Sequence, residues 1–126
     1  MRSVSKLGLV SILCAATAGF GAVDKKAERN WKGKCSSCHG ADGKGHTDQG
    51  KKMQVEDMSS AKWQSSKTDD QIKSAIENGA KKGDAVMDGY KDKLSAEDIT
   101  ALVSYVRTLK GSAKAAKKAK KAKAAP

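Results

Sequence analysis

The clearest hydrophobic pattern of the chain lies near its end. Five aliphatic residues recur there at spacings of three and four, on one face of a helix: Ile99, Leu102, Val103, Val106 and Leu109. Ser95 stands before them as an N-cap, with the acidic Glu97 and Asp98 in the first turn. Gly111 follows as a stop signal. The sequence therefore predicts an amphipathic helix between Ser95 and Gly111.

Two further helices are indicated upstream. Residues 68–71, TDDQ, have the spacing of a capping box, and Gly79 provides a stop. An apolar stripe lies between these signals: Ile72, Ala75 and Ile76. Nearer the start, Asp24 is a suitable N-cap, and Ala27 and Trp31 lie four residues apart on one helix face.

The segment between these helices lacks a clear period. Residues 40–67 are rich in Gly, Lys, Ser and Asp, and they predict a long loop with one short helical turn near Val55–Met58. A loop of that length in a compact domain is usually functional or wrapped around something. No segment alternates as a half-buried strand does, so the pattern predicts an all-α fold.

The two ends of the chain differ from its centre. In residues 1–22, Arg2 and Lys6 precede an apolar run up to Phe20, and small residues follow, as in a secretory signal peptide. A retained membrane anchor is the less favoured alternative, because the run is short for a span. Residues 112–126 contain six Lys and no aliphatic side chain larger than Ala, which predicts a flexible tail that the folded domain does not require. We therefore expect a periplasmic protein with one domain, residues 23–111.

The composition of this domain poses a packing problem. Of the 25 basic residues of the chain, six lie in 112–126 and two in 1–22, which leaves 17 against 14 acidic residues in 23–111. The net charge of +11 therefore comes mainly from the tail. Only eleven of the 89 residues in 23–111 are Leu, Ile, Val or Phe. So little apolar surface favours disorder, unless something other than protein fills the centre.

Residues 35–39, CSSCH, supply a candidate for that filling. C-x-x-C-H is the attachment signature of a c-type haem. Two intervening residues in a helical turn let Cys35 and Cys38 form thioethers along one haem edge, and His39 then reaches the iron. A buried porphyrin is a large apolar plate, so it can take the place of the missing core.

Three other interpretations of the two cysteines are weaker. A thioredoxin-type redox pair would need a βαβ context, which the sequence lacks. A zinc site would need a fourth good ligand, and only His46 remains. A plain disulfide would explain Cys35 and Cys38 but not the adjacent His39.

The second axial ligand of the iron has four candidates. These are Met53, Met58, Met87 and His46. Met87 lies in a predicted loop between two helices, far from the cysteines in sequence, so the chain can wrap round to the other haem face. Met53 and Met58 are spaced with Val55 like packing residues. We therefore predict ligation of the iron by His39 and Met87, and we expect the indole N–H of Trp63 to meet a haem propionate or to pack against the 68–79 helix.

These features together resemble those of a known family. The segments CSSCHGADGKG, MDGYKDKLS and SYVRTL are similar to those of small bacterial class I c-type cytochromes, and the resemblance covers nearly all of 23–111. It implies a fold of three to four helices wrapped around one covalent haem, with the first and last helices crossing beside it. Ala27 stands at the small-residue position of that crossing, and Trp31 and Tyr105 stand at its aromatic positions.

The chain departs from the family pattern at two places. The family often has Pro directly after the ligand Met, where this chain has Asp88, and a further Pro in the loop after the cysteines. The only Pro here is Pro126. Because a ligand His needs an acceptor for its Nδ1–H, we expect a backbone carbonyl within 44–50 to serve His39.

The predicted function is electron transfer, because ligation by His and Met leaves no position on the iron for oxygen or a substrate. No catalytic dyad or nucleophile is visible in the sequence. A soluble carrier with His–Met ligation exchanges one electron with redox partners. The alternatives are a haem-based sensor with an open or labile sixth position, and a c-type subunit of a larger redox complex. We expect a monomer that is not an enzyme and does not bind nucleic acid.

Lysines offer information about partners. Nine flank the segments predicted to face the haem: Lys32, Lys34, Lys44, Lys51, Lys52, Lys81, Lys82, Lys91 and Lys93. They fit acidic docking surfaces on redox proteins, or they only keep the protein soluble. The lysine-rich tail is expected to meet an anionic membrane surface or an acidic partner, with a purely solvating role as the alternative.

Overall fold

The structure, a computed structural model, describes residues 23–111. The predicted signal peptide and the predicted tail lie outside the described residues. Within 23–111 the elements follow one another as α1 Lys25–Asn30, a π-helical turn Trp31–Cys35, α2 Ser36–His39, α3 Asp48–Lys52, α4 Ala61–Ser66, α5 Asp69–Asn78, β1 Ala80–Lys82, β2 Ala85–Met87 and α6 Ala96–Thr108. The described part of the chain is thus mostly helical, as the sequence predicts.

The helix boundaries follow the predicted caps. Asp24 accepts from the Lys26 N–H at the start of α1, and Ser95 accepts from the Asp98 N–H at the start of α6. Thr68 and Gln71 form both bonds of a capping box at the start of α5. Each cap satisfies N–H groups that have no partner inside the helix, so each fixes where its helix begins.

Two short helices replace much of the expected loop. Thr47 accepts from the Gly50 N–H to start α3, and Ser60 accepts from the Trp63 N–H to start α4. The helical turn expected near Val55–Met58 is absent, because these residues form the connection between the two helices. Short helices of this kind are set by capping hydroxyls and tertiary packing, so they carry little apolar period.

A short antiparallel hairpin is a second feature that the sequence did not predict. Strands β1 and β2 pair with Ala80 opposite Met87 and Lys82 opposite Ala85. Gly83, at φ +59°, lies in the two-residue turn between them. Three-residue strands whose faces are not alternately apolar give no strand signal in a sequence. The all-α class still describes the fold, and the hairpin carries Met87 at its end.

The core lies where α1 and α6 cross. Ala27 is 2 % exposed at the crossing, and Lys26 pairs with Asp98 at 2.7 Å across it. The Trp31 ring packs on that of Tyr105, with 5.5 Å between centroids. The predicted stripe of α6 is buried together with residues from other elements: Trp31, Met58, Ile72, Ile76, Ile99, Leu102, Val103, Val106 and Leu109. The small-residue and aromatic positions implied by the family resemblance thus meet as expected.

A buried polar side chain joins α4 to α6. The Gln64 amide Nε2 donates to the Met58 carbonyl at 2.7 Å and to the Val106 carbonyl at 2.9 Å. Arg107 donates to the Gln64 backbone and side-chain oxygens, to the Lys67 carbonyl and to Asp69. Gln64 and Arg107 therefore tie the start of α5 to the end of α6.

We predict that Gln64→Leu lowers the free energy of unfolding by about 1–3 kcal/mol, because two carbonyls lose a buried donor. Chemical denaturation of the purified protein measures this value. Lys62→Leu, on the exposed face of the same helix, is the control and should change it by less than about 0.5 kcal/mol. An equal loss in both variants would show that the amide hydrogen bonds contribute nothing.

Candidate functional site

The CSSCH segment begins with the last residue of the π-helical turn and ends with the last residue of α2. Cys35 ends that turn, and Ser36–His39 form α2. The Cys35 and Cys38 thiols are both free and half-buried, so they are not joined in a disulfide. Burial raises the pKa of the Cys35 thiol to about 11. Burial therefore favours the neutral form of this thiol.

Hydrogen bonds to backbone carbonyls hold this segment in place. The Trp31 indole Nε1 donates to the Gly40 carbonyl at 3.1 Å, and the Gly45 N–H donates to the His39 carbonyl at 2.7 Å. The Thr47 hydroxyl donates to the Cys38 carbonyl at 3.0 Å. The loop after the cysteines is thus fixed without the proline that the family often has there.

The surroundings of the His39 ring favour the form that binds metals. It lies 5.8 Å from the Trp31 ring, centroid to centroid, and burial lowers its pKa. Burial therefore favours the neutral imidazole, which is the form that binds metals.

The acceptor expected for His39 within 44–50 is not found. Its Nδ1 atom is buried and has no hydrogen-bond partner among the described residues. Three carbonyls of that stretch already serve N–H groups farther along: Thr47 accepts from Lys51, Gln49 from Met53 and Gly50 from Val55. No carbonyl of 44–50 accepts from His39 in the structure, so the expected acceptor is not confirmed.

Beside His39 lies a cavity of about 600 Å³. This volume falls within the roughly 300–1,000 Å³ of pockets that bind organic ligands. Its wall is formed by both cysteines and His39 from the motif, by apolar residues of α5 and α6, and by the hairpin with the residues that follow it. Lining residues include Trp31, Cys35, Cys38, His39, Met53, Met58, Trp63, Ile72, Ala75, Ile76, Met87, Tyr90, Leu102 and Val106. The donor set and the apolar wall fit a covalently attached haem.

Three methionines line this cavity, in different settings. The Met53 sulfur lies 4.0 Å from the Cys38 sulfur and 3.3 Å from the Gln49 amide nitrogen. Met58 is 7 % exposed and packs in the core. Met87 is half-buried at the end of β2. The structure therefore brings Met87 to the same cavity as His39, although the two are far apart in sequence.

The segment after Met87 rests on the end of α5. The Tyr90 N–H donates to the Ile76 carbonyl at 2.8 Å, and the Lys91 N–H donates to the Glu77 carbonyl at 3.2 Å. A side chain on Gly79, at φ +83°, would collide with the Met87 carbonyl oxygen. Close backbone packing thus fixes the segment in which Asp88 stands where the family often has proline.

Trp63 lines the cavity, but its indole N–H donates to the Glu56 carboxylate at 3.2 Å. Glu56 also pairs with Lys82 at 3.7 Å, from the hairpin. The contact of Trp63 with a haem propionate stays a prediction.

Four lysines line the cavity: Lys34, Lys67, Lys81 and Lys82. Three of these are among the nine that the sequence indicated, and Lys67 is an addition. Val86 is an exposed apolar residue beside Lys81 and Lys82 on the hairpin, with 51 % of its surface accessible. The rim of the cavity therefore carries four lysines and one exposed apolar side chain, that of Val86.

Sequence reasoning missed two other residues of the site. Tyr90 lines the cavity and donates to the Lys34 carbonyl, and Glu56 is the partner of Trp63. The only sequence signal for Tyr90 is its position three residues after Met87. Nothing in the sequence pattern distinguishes Glu56 from other surface carboxylates.

Two further findings concern residues 23–111. No three His, Cys, Asp or Glu side chains of this range are gathered as ligands for a metal ion. No helix in it has the length and apolar character needed to cross a membrane.

We predict that Gly50→Ala lowers the free energy of unfolding by about 1–3 kcal/mol, because its Cβ would collide with the Cys38 and Gly45 carbonyl oxygens. A loss of stability would be informative, because replacing Gly by Ala in a helix otherwise stabilises it by about 1 kcal/mol. Denaturant titration measures the effect, and haem content per polypeptide should fall with it.

Gly33→Ala is the matched control for this substitution. No neighbouring atom lies within 4 Å of the position that a Cβ on Gly33 would take, so Ala should be tolerated there. A stable, fully haem-loaded Gly50→Ala protein would contradict the tight packing of α3 on the motif.

Comparisons with known proteins agree with this site. The family described as cytochrome c oxidase, cbb3-type, subunit III matches residues 22–106. The structure of a c-type cytochrome, KustC0563, is similar with a TM-score of 0.61 and 32 % identity over 67 % of this chain and 96 % of that one. A tyrosine-to-phenylalanine mutant of Kustc0563 gives 0.60 and 32 % over 68 % and 99 %. No curated protein matches the chain.

The family match spans well over half of the chain, and it includes the CSSCH segment and the hairpin with Met87. The helical fold and the cavity agree with it. The chain therefore belongs to the cytochrome c family described by the cbb3-type subunit III, as a small class I c-type cytochrome with one covalently bound haem c.

Proposed function

We propose that this cytochrome carries single electrons between redox partners on a haem that Cys35 and Cys38 attach and that His39 and Met87 ligate. The observation that carries the proposal is the shared cavity, which all four side chains line. Haem c supplies a one-electron Fe(III)/Fe(II) couple when bound.

The residues of the chain divide the remaining tasks. Burial lowers the pKa of His39 and so favours the neutral imidazole, which can donate an electron pair. The Met87 thioether is a soft ligand that favours the ferrous state. Apolar residues of α5 and α6, with Trp31, exclude water from most of the wall. A fixed, dry site needs little rearrangement between the two oxidation states.

Met87 is a better distal ligand than the other two methionines. Met53 lies beside Cys38, so its sulfur is on the same side of the cavity as the attachment motif. Met58 is packed into the core. Met87 ends the hairpin, and Tyr90 and Lys91 after it donate to α5, so Met87 lies on a separate segment that can close a second axial position.

A role as a subunit of a larger redox complex is the second candidate. The family description, a subunit of a cytochrome c oxidase, is the observation that favours it. Co-purification of the protein with membrane-bound redox enzymes would distinguish a subunit from a free carrier.

The partner surface that we propose is the cavity rim with Lys34, Lys67, Lys81, Lys82 and Val86. Long-range attraction between lysines and an acidic partner raises the association rate in a salt-dependent way. An export signal in residues 1–22 would place this exchange in the periplasm. The lysine-rich tail is proposed to add weak attraction to an anionic membrane or partner.

We predict that Met87→Ala opens an axial position. The weak red-end band of ferric Met ligation should disappear, carbon monoxide should bind to the reduced protein, and the reduction potential should fall by on the order of 0.1 V. Visible spectra and spectroelectrochemistry measure these changes.

Met53→Ala is the control for this experiment and should leave the band and the carbon monoxide response unchanged. If Met53→Ala opens the site and Met87→Ala does not, the ligand assignment is wrong. A native protein that already binds carbon monoxide readily would instead favour the sensor.

We predict that Lys67→Glu with Lys81→Glu slows oxidation of the reduced protein by hexacyanoferrate(III), a multiply charged anion. The rate constant should fall about tenfold at low salt and much less at high salt, because rim charges act through a screened field. Lys25→Glu with Lys62→Glu changes the net charge equally, away from the rim. Equal slowing in both double variants would leave the rim without a special role.

A further inference from the structure

Tyr90 connects the two segments that carry the proposed haem ligands. It follows Met87 by three residues, and its half-buried ring lines the cavity. Its hydroxyl donates to the backbone carbonyl of Lys34 at 3.2 Å. Lys34 directly precedes Cys35, so this bond runs from the Met87 segment to the attachment motif.

The π-helical turn explains why a carbonyl there accepts from outside the helix. The Ser36 N–H donates to the Trp31 carbonyl, five residues back, and the Gly40 N–H donates to the Ser36 carbonyl, four residues back. Between these two bonds, the carbonyls of residues 31–36 number six, whereas the N–H groups of residues 36–40 number five. At least one carbonyl must therefore find a donor outside the ladder.

Side-chain hydroxyls donate to two carbonyls of this stretch. Ser36 Oγ donates to the Lys32 carbonyl at 2.7 Å, and the Tyr90 hydroxyl donates to that of Lys34. The π-helical turn thus leaves the Lys34 carbonyl available to accept a hydrogen bond from the Tyr90 hydroxyl.

The other end of Tyr90 is fixed by its own backbone. Its N–H donates to the Ile76 carbonyl at 2.8 Å, and its carbonyl accepts from Lys93 and Leu94, both at 2.9 Å. Burial raises the pKa of Tyr90, so the phenol keeps the proton that it donates at neutral pH. A Phe at this position would keep the ring and the backbone bonds and would lose only the hydroxyl.

We propose that Tyr90 is a positioning residue, whose hydroxyl holds the Met87 segment closed against the attachment motif. The inference rests on the proposed ligation by Met87. When Met87 leaves the iron, its segment must move away from the motif, and the bond between Tyr90 and Lys34 resists that movement. Loss of the hydroxyl should therefore raise the population of the open state.

Imidazole provides the test, because it can bind ferric haem only while Met87 is off. Its apparent affinity is proportional to the open fraction. Since one neutral hydrogen bond contributes modestly, Tyr90→Phe should tighten imidazole binding about two- to tenfold in an optical titration of the full haem-loaded protein.

Tyr105→Phe is the matched control. Tyr105 is the only other tyrosine, and it packs on Trp31 at the α1–α6 crossing instead of lining the cavity. Loss of the Tyr105 hydroxyl in this variant should leave the affinity for imidazole unchanged within about twofold. The same tightening in both variants would assign the effect to general loosening and would overturn the inference.

The Met87→Ala spectrum separates the two possible failures. If that variant loses the red-end band while Tyr90→Phe leaves imidazole affinity unchanged, the positioning role is wrong and the ligand assignment stands. If Met87→Ala keeps the band, the proposed ligation is wrong and the positioning role falls with it.

Discussion

The fold depends on a cavity that the polypeptide does not fill by itself. Seven of the eleven large aliphatic residues in 23–111 lie in the buried cluster, and four of these seven also line the cavity beside His39: Ile72, Ile76, Leu102 and Val106. Covalent haem c closes that gap, since burial of its apolar faces contributes about 25 cal/mol per Å². The helices of this small protein therefore pack on one another on one side and form a wall around a cofactor on the other.

Backbone packing replaces the prolines that the family often uses to stiffen its loops. Gly50 lets α3 lie directly on the carbonyls of Cys38 and Gly45, and Gly79 lets the Met87 strand lie on the end of α5. Hydrogen bonds from Thr47 and Tyr90 complete these contacts. Proline restricts the unfolded chain, whereas these contacts act only once the native packing exists. Loop order in this protein is thus coupled to the packing around the cavity.

The sequence predicted those elements whose signals are local. The caps at Asp24, Thr68 and Ser95 and the stripe of α6 are where the sequence put them, because capping and helix period depend on neighbours in the chain. The motif was also recognisable from its spacing. Met87 lines the same cavity as the motif, and its ligation of the iron stays a prediction. The remainder depended on contacts between distant residues. Helices α3 and α4 follow from single hydroxyl caps, and the hairpin follows from two strands of three residues, so none has a periodic signal. The expected acceptor for His39 within 44–50 is not found either, since the buried Nδ1 has no partner among the described residues.

Trp63 illustrates how charge at the cavity rim constrains the site. An indole has one N–H donor, and here it serves Glu56, which Lys82 also neutralises in part. A propionate approaching Trp63 would compete with that carboxylate for the same hydrogen and would feel its negative charge. Lys82, which pairs with Glu56, offsets part of that repulsion, and Lys81 and Lys67 add positive charge along the wall of the same cavity. The rim lysines that are proposed to attract a redox partner thus also set the charge around Trp63, and we expect their substitution to alter the surroundings of the cofactor as well.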